Sequence, residues 1–210
     1  MKITYLGHAS VLLETAAGTR IVTDPYAQDI LPHPVVKAHV VTTSHEHHDH
    51  CDLSQVKGDY AIVNTAKATT FLDVKITCAP CFHDEVQGKK RGHNRAYIFE
   101  ADGLKIVHLG DLGEAPTPAL IDACAGADVV FIPIGGTYTL TGKEAAEAVK
   151  ALQPKLTVPI HYRCPGHSFA VISTEEPFLA ALDSAVPVHR LDALEEPFPT
   201  GVALLTPAKA

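Results

Sequence analysis

The segment His45–His50, reading HEHHDH, constrains this chain more than any other stretch of it. It directly follows an apolar, strand-like run, HVVTT, so its side chains emerge at a strand end. His45 and His47 are two residues apart and point the same way in an extended loop. Asp49 and His50 follow after one intervening residue. Imidazole and carboxylate are good ligands for zinc and similar divalent ions. A short loop cannot easily aim all four at one ion, so two pairs serving two adjacent ions is the simpler geometry. Either way the loop is an incomplete site, and the fold must bring further ligands to it from other strand ends. A solvated charged loop is the alternative reading. Glu46, His48 and Asp52 lie off the ligand positions in both.

The rest of the chain supplies such ends. KITYL, SVLLET, RIVTD, HVVTT and YAIVN read as short strands, with AAGT as a hairpin between the second and third. Asp102-Gly103 joins NRAYIFEA to LKIVHLG as a second hairpin. Helices are expected over DLSQVKG (52–58), TAKATTFL (65–72), TPALIDACA (117–125), GKEAAEAVKALQ (142–153) and TEEPFLAALDSA (174–185). Thr141 and Glu144 have capping-box spacing at the start of the fourth, and Pro154 follows its end. VKITCA, DVVFIPI, KLTVPIH and GVALLTP complete the strands. With 210 residues, 46% hydrophobic and 20% charged, the expectation is one α/β domain spanning 1–210.

Charge and composition exclude some partners. The net charge is −7 and no basic run is present, so nucleic acid and anionic membrane are poor partners; a small-molecule substrate is expected. The longest uncharged stretch, VVFIPIGGTYTLTG, is too short and too rich in Gly to span a bilayer. Five cysteines and no apolar leader before the first strand point to a reducing cytoplasm with free thiols.

Three further ligand-type residues sit where strands end: His83 in CFHDE, Asp111 in HLGDLG and His161 in PIHY. A carboxylate such as Asp111 can bridge two cations, which a neutral imidazole cannot. With H-x-H-x-D-H at 45–50, GD at 110–111 and PIHY at 159–162 in this order, the sequence resembles the metallo-β-lactamase superfamily. YLGHASVLLET, TDP and GGTYT resemble its small UlaG-like and UPF0173-like metal-dependent hydrolases. The resemblance implies an αββα four-layer sandwich with mixed, largely antiparallel sheets. It implies one metal on His45, His47 and His83, a second on Asp49, His50 and His161, and Asp111 bridging them. His93 and His108 compete with His83 for its place. The cofactors implied are two divalent ions, zinc first, with manganese, iron or nickel accepted by the same ligands. A metal-bridging water, activated between them, would attack the substrate, with Asp49 and Asp111 as the catalytic carboxylates. A small lactone or ester is the expected substrate, and a phosphodiester the alternative. A mononuclear iron oxidoreductase resembling the persulfide dioxygenases, and a binding protein without catalysis, are the readings from other classes.

His8 in LGHAS is read either as backing the site or as a substrate contact, and Arg91 or Lys89 in the basic loop GKKRGHN and Tyr138 as substrate contacts; Arg163 also adjoins a ligand-bearing loop. Cys78 and Cys81 form a lone C-x-x-C, read as two buried thiols, and Cys51 adjoins His50 without an assigned role. GHSFA at 166–170 resembles a nucleophile elbow, but Pro165 rather than a clear strand precedes it.

Overall fold

The computed structural model describes residues 1–210. In chain order the strands are β1 (Lys2–Gly7), β2 (Ser10–Glu14), β3 (Arg20–Thr23), β4 (Val36–Lys37), β5 (Val40–Thr42), β6 (Val56–Lys57), β7 (Ala61–Val63), β8 (Thr69–Phe71), β9 (Val74–Phe82), β10 (His93–Ala101) and β11 (Leu104–His108). Helix α1 (Pro118–Cys124), β12 (Val129–Pro133), α2 (Gly142–Leu152), β13 (Leu156–Ile160), α3 (Glu176–Ala181), β14 (Val188–Leu191), β15 (Leu194–Glu195) and β16 (Gly201–Leu205) follow.

Two sheets form. One has the order β15-β1-β2-β3-β5-β7 and the other β14-β16-β13-β12-β11-β10-β9-β8. Alternation along each strand decides which side chains meet. Ile3, Tyr5, Val11, Leu13, Ile21 and Val40 of the first sheet face Phe99, Ile106, Val129, Phe131 and Val158 of the second in one core cluster. The strand β12 is buried on both faces, because its other side, Val130 and Ile132, receives the helices. Leu120 of α1, Ala145, Ala148 and Leu152 of α2 and Phe178 of α3 pack there. Thr141 caps α2 through a complete capping box with Glu144, as the spacing predicts. The Asp102-Gly103 hairpin also forms, both residues having positive φ and Ala101 pairing with Leu104.

Four expectations are corrected. Residues 52–58 are not helical: the Ser54 N–H donates to Asp52 Oδ1 in a local turn, and β6 pairs with β4. Residues 65–72 are not helical either; Thr69, Thr70 and Phe71, β-branched and aromatic, form an edge strand folded back on β9. The last helix is only Glu176–Ala181. The sheets are mixed, but parallel pairing runs through β11-β12-β13-β16: α1 and α2 are the crossover connections for the first two pairs, and the stretch containing α3, β14 and β15 connects the third. The sandwich also has an unequal pair of outer layers. Leu6, Leu12, Val22 and Val41 on the outside of the first sheet are covered by Val36, Ala38, Leu53 and Val56, from the β4–β6 ribbon and its loops. Pro32, Pro34 and Gly58 interrupt that region and leave no room for a helix.

This topology brings one set of strand ends together. His8 follows β1, Asp24 follows β3, His45–His50 follow β5, His83 follows β9, Asp111 follows β11 and His161 follows β13.

Candidate metal centre

Asp111 lies at the middle of the convergence. Its Oδ2 is 3.1 Å from His50 Nε2, 3.3 Å from His83 Nε2, 3.3 Å from His161 Nε2 and 3.9 Å from His45 Nε2. Asp49 Oδ2 stands beside this group, 3.6 Å from His50 Nε2 and 4.0 Å from His161 Nε2. Potential ligand atoms cluster as His45, His47 and His83; as His8, Asp49, His50 and His161; and as His45, His50 and Asp111. His47 is exposed, whereas the other ligand candidates are buried.

The fit of these residues to cations rests on unpaired atoms. His45 Nε2, His50 Nε2, both nitrogens of His161 and Asp111 Oδ1 are buried without a hydrogen-bond partner. A buried polar atom left unpaired costs about 1–3 kcal/mol, so several around one point are costly unless something binds there. Divalent cations match that donor set of imidazole nitrogens and carboxylate oxygens.

The residues behind the centre hold it in shape. Asp24 accepts from Ser44 N (2.7 Å) and Ser44 Oγ (2.6 Å), and its Oδ2 faces His50 Nδ1 at 2.9 Å. Ser44 Oγ in turn lies 2.9 Å from His45 Nδ1. Asn94 Oδ1 accepts from the Asp111 N–H, while its Nδ2 donates to Leu109 O. Gly110 is squeezed between Asn94 and Ser44: a Cβ there would meet Asn94 Oδ1 at 2.5 Å and Ser44 Cβ at 2.6 Å. Its φ of 53° is also one that glycine adopts freely. Three site residues hold left-handed backbone conformations although they are not glycine: His8 (φ 51°), Asp24 (φ 40°) and His161 (φ 50°). Such strain persists where the surroundings over-determine it, commonly at functional sites.

Electrostatics agree with the geometry. Burial pushes the His45 imidazole down to about 3, with His50 adding to the effect and Asp111 opposing it. Burial also lowers His83 and His161 against the pull of Asp111. Burial alone would raise Asp111, but the imidazoles of His161 and His50 hold it well below the usual carboxylate range. For His50 the balance reverses: burial opposes its charge, yet Asp111 and Asp24 hold its proton well above the usual range. Three buried carboxylates, Asp24, Asp49 and Asp111, therefore demand positive charge at this point. Without a cation, a proton on His50 supplies it.

The sequence-predicted residues fall into clear groups. His45, His47, Asp49, His50, His83, Asp111 and His161 are brought together. His93 is exposed and packs against Phe82. His108 is buried, with Nε2 on Ala9 O (2.7 Å) and Nδ1 accepting from Gly110 N. Arg91, Tyr138 and Phe169 line a cleft of about 490 Å³ that also reaches His47, Asp49 and Asp111. Arg91 Nη2 donates to Thr137 O, and its guanidinium sits 5.2 Å from the Tyr138 ring centroid. Lys89 and Arg163 are exposed, and Arg163 Nη1 donates to Ala170 O. Of the two roles read for His8, its surroundings favour the one behind the site. It is 0% exposed and both ring nitrogens are engaged, Nε2 with Asp49 and Nδ1 with His167, so it stands behind Asp49. Cys78 and Cys81 do not form a pair of equivalent buried thiols. Cys81 packs among the helices' core and is pushed up to about 12 by burial, whereas Cys78 is half-buried on the inter-sheet side. Asp24, Asn94 and His167 were not singled out from the sequence. The signal for Asp24 was its place at a strand end before Pro25; Asn94 and His167 carried none.

The known proteins with this architecture give it a class. Residues 2–161 match the model of the β-lactamase superfamily domain. A protein from Thermotoga maritima, assigned as a Zn-dependent hydrolase of the metallo-β-lactamase superfamily, has a crystal structure similar to this one. The TM-score is 0.80 at 36% identity, over 97% of each chain. The chain belongs to the metallo-β-lactamase superfamily and, within it, to the UPF0173 metal-dependent hydrolases. A UPF0173 metal-dependent hydrolase from Thermococcus onnurineus is 31% identical over 77% of this chain and 84% of its own length. Another, from a Geobacillus species, is 32% identical over 89% of this chain and 95% of its own. No helix is long and apolar enough to cross a membrane.

Proposed function

We propose that this chain holds two divalent cations, zinc by default, and hydrolyses a small lactone or ester. One observation carries the reading: a single carboxylate oxygen, Asp111 Oδ2, lies 3.1–3.9 Å from the Nε2 atoms of four histidines. On this reading His45, His47 and His83 hold one ion, Asp49, His50 and His161 the other, and Asp111 both. The clustering of ligand atoms into two groups that adjoin Asp111 supports the count.

Bound cations supply Lewis acidity, polarising a carbonyl oxygen and lowering the pKa of water. The protein's own groups do the rest. Asp49 accepts a hydrogen bond from the attacking water and orients it; its Oδ2 is fixed by His8 at 3.2 Å. Arg91, restrained by Thr137 and Tyr138, receives an anionic part of the substrate at the mouth of the cleft. Tyr138 and Phe169, with ring centroids 6.2 Å apart, offer an apolar wall.

Metal analysis of the purified protein, followed by a panel of lactones, esters, thioesters and bis(p-nitrophenyl) phosphate, tests the proposal. Two ions per chain with turnover of a lactone or ester is the expected result. Turnover of the phosphodiester alone moves the assignment to phosphoryl transfer at the same site. One iron per chain with no hydrolysis overturns it.

A further inference from the structure

The hydrogen bonds behind Asp49 run in one direction, fixed at one end by the acceptor-only carboxylate and at the other by a backbone N–H. The Phe169 N–H can only donate, and it lies 3.1 Å from His167 Nδ1, so that nitrogen accepts. The His167 proton is therefore on Nε2, which faces His8 Nδ1 at 2.9 Å. That contact accommodates one proton, so His8 Nδ1 accepts and the His8 proton is on Nε2. There it points at Asp49 Oδ2, 3.2 Å away. Both rings are neutral in this arrangement, and neither is free to change tautomer without breaking a bond at its far side.

The two ends of this chain matter. At one end is Asp49, beside His50 and His161. At the other is the segment 164–172, which contributes Phe169 to the wall of the cleft. Phe169 lines the cleft and packs on the Tyr26–Ile30–Leu31 cluster. The Ser168 N–H donates to Ile30 O at 2.8 Å, and Thr137 Oγ1 donates to Val171 O at 2.9 Å. The wall is thus anchored at Ser168 and Val171, although the Val171 side chain is 60% exposed. His8 is immobilised in the same way: its carbonyl accepts from Tyr5 Oη and from the His161 N–H, and its ring is enclosed by Tyr26, His161 and Phe169.

We propose that His8 and His167 are positioning residues that couple the 164–172 wall to Asp49, so that a ligand seated against Phe169 and the orientation of the Asp49 carboxylate influence one another. The inference rests on the reading of Asp49 as a ligand of the second ion. Removing the His167 ring leaves the buried His8 Nδ1 lone pair without a donor and takes away the group that holds the ring against Asp49. The His8 proton stays on Nε2, facing the carboxylate, but the pair loses its fixed orientation. His167→Gln keeps an N–H donor near the Nε2 position and should preserve the orientation of His8.

Two measurements decide the matter. Long-range proton–nitrogen NMR of the metal-free protein should show the Nε2–H tautomer at both His8 and His167. In His167→Ala the His8 Nδ1 resonance should shift as it loses its donor, and in His167→Gln it should not. Titration of metal-free protein with Zn²⁺ should show one of the two equivalents weakened about 10–100-fold in His167→Ala, the other unchanged, and the loss recovered in His167→Gln. In turnover, kcat should fall with little change in KM. His8→Gln, which keeps a donor to Asp49, should bind Zn²⁺ nearly as the native chain does. An Nδ1–H tautomer at His8 in the native chain, or identical titrations for native and His167→Ala proteins, overturns the coupling. If the native chain binds no Zn²⁺, the two-ion reading falls, and the tautomer spectra still decide the hydrogen-bond chain.

Discussion

On one side of Asp111 sit His45, His47 and His83; on the other sit Asp49, His50 and His161 with His8 behind them. One side is three histidines and the other an aspartate with two histidines, and their support differs as well. His47 is exposed, its ring touching those of His45 and His83 at centroid distances of 4.6 and 5.1 Å, and His83 Nδ1 has no partner. On the second side every ligand is buried, His50 is tied to Asp24 and Asp49 is tied to His8. Partners of this kind fix the tautomer and orientation of a ligand and commonly account for 10–100-fold in metal affinity. The inner side should therefore bind first and release last, and the outer side should exchange. Sequential loss of metal to a chelator, one equivalent fast and one slow, would display the difference directly.

The largest effect should come from abolishing the comparison. Asp111→Ala removes the one oxygen that both sides approach, and kcat/KM should fall by about a thousandfold or more, roughly 4 kcal/mol in transition-state stabilisation. Metal content should fall with it; retention of two ions would mean that Asp111 does not join them. Asp24→Asn comes next. Asp24 reaches His50 directly and His45 through Ser44, so it stands behind both sides. Its replacement should weaken both equivalents by about 10–100-fold while leaving their number at two. Weakening of one equivalent alone would show that the Ser44 link carries nothing.

His47→Ala separates the sides. It deletes an exposed outer ligand with no partner behind it, so metal content should drop from two ions to one without loss of thermal stability. Loss of both ions would make the inner side dependent on the outer.

The same contrast explains what could be read from the chain. The candidate ligands at 45–50 were legible because a period-two spacing in one loop survives without knowledge of the fold. His83, Asp111 and His161 were legible because each ends an apolar strand, and strand ends converge in a sandwich. Asp24, Asn94 and His167 act only through hydrogen bonds to residues far away in sequence, and no local pattern encodes those. His8 was noticed with both roles open, since facing the substrate and backing a ligand look alike at a strand end. The failed helices at 52–58 and 65–72 have a related cause. Both lie at sheet margins, where pairing with β4 and β9 outweighs weak local preference.

The smallest effect concerns acid stability of the metal-free protein. Burial pushes His8 down to about 3, with His161 adding to the effect, and it lowers His45 to about 3 as well. Their unfolded value is 6.5, so below that pH the unfolded chain takes up protons that the folded chain refuses at these two rings. Each ring therefore costs the folded state stability as pH falls from 6.5 toward about 3. His50 works the other way: its contribution is complete below 6.5 and is lost as pH rises through its raised folded value. Asp111, held low, does not lose its contribution until pH falls below 3.8. Denaturant melts between pH 6.5 and 4 should consequently show stability falling with pH. His8→Gln should flatten that fall by at most about 1.4 kcal/mol per pH unit, one proton's worth. An unchanged slope would mean that His8 is already protonated in the folded chain, and the inner side would then owe its order to charge on His8 rather than to the direction of its hydrogen bonds.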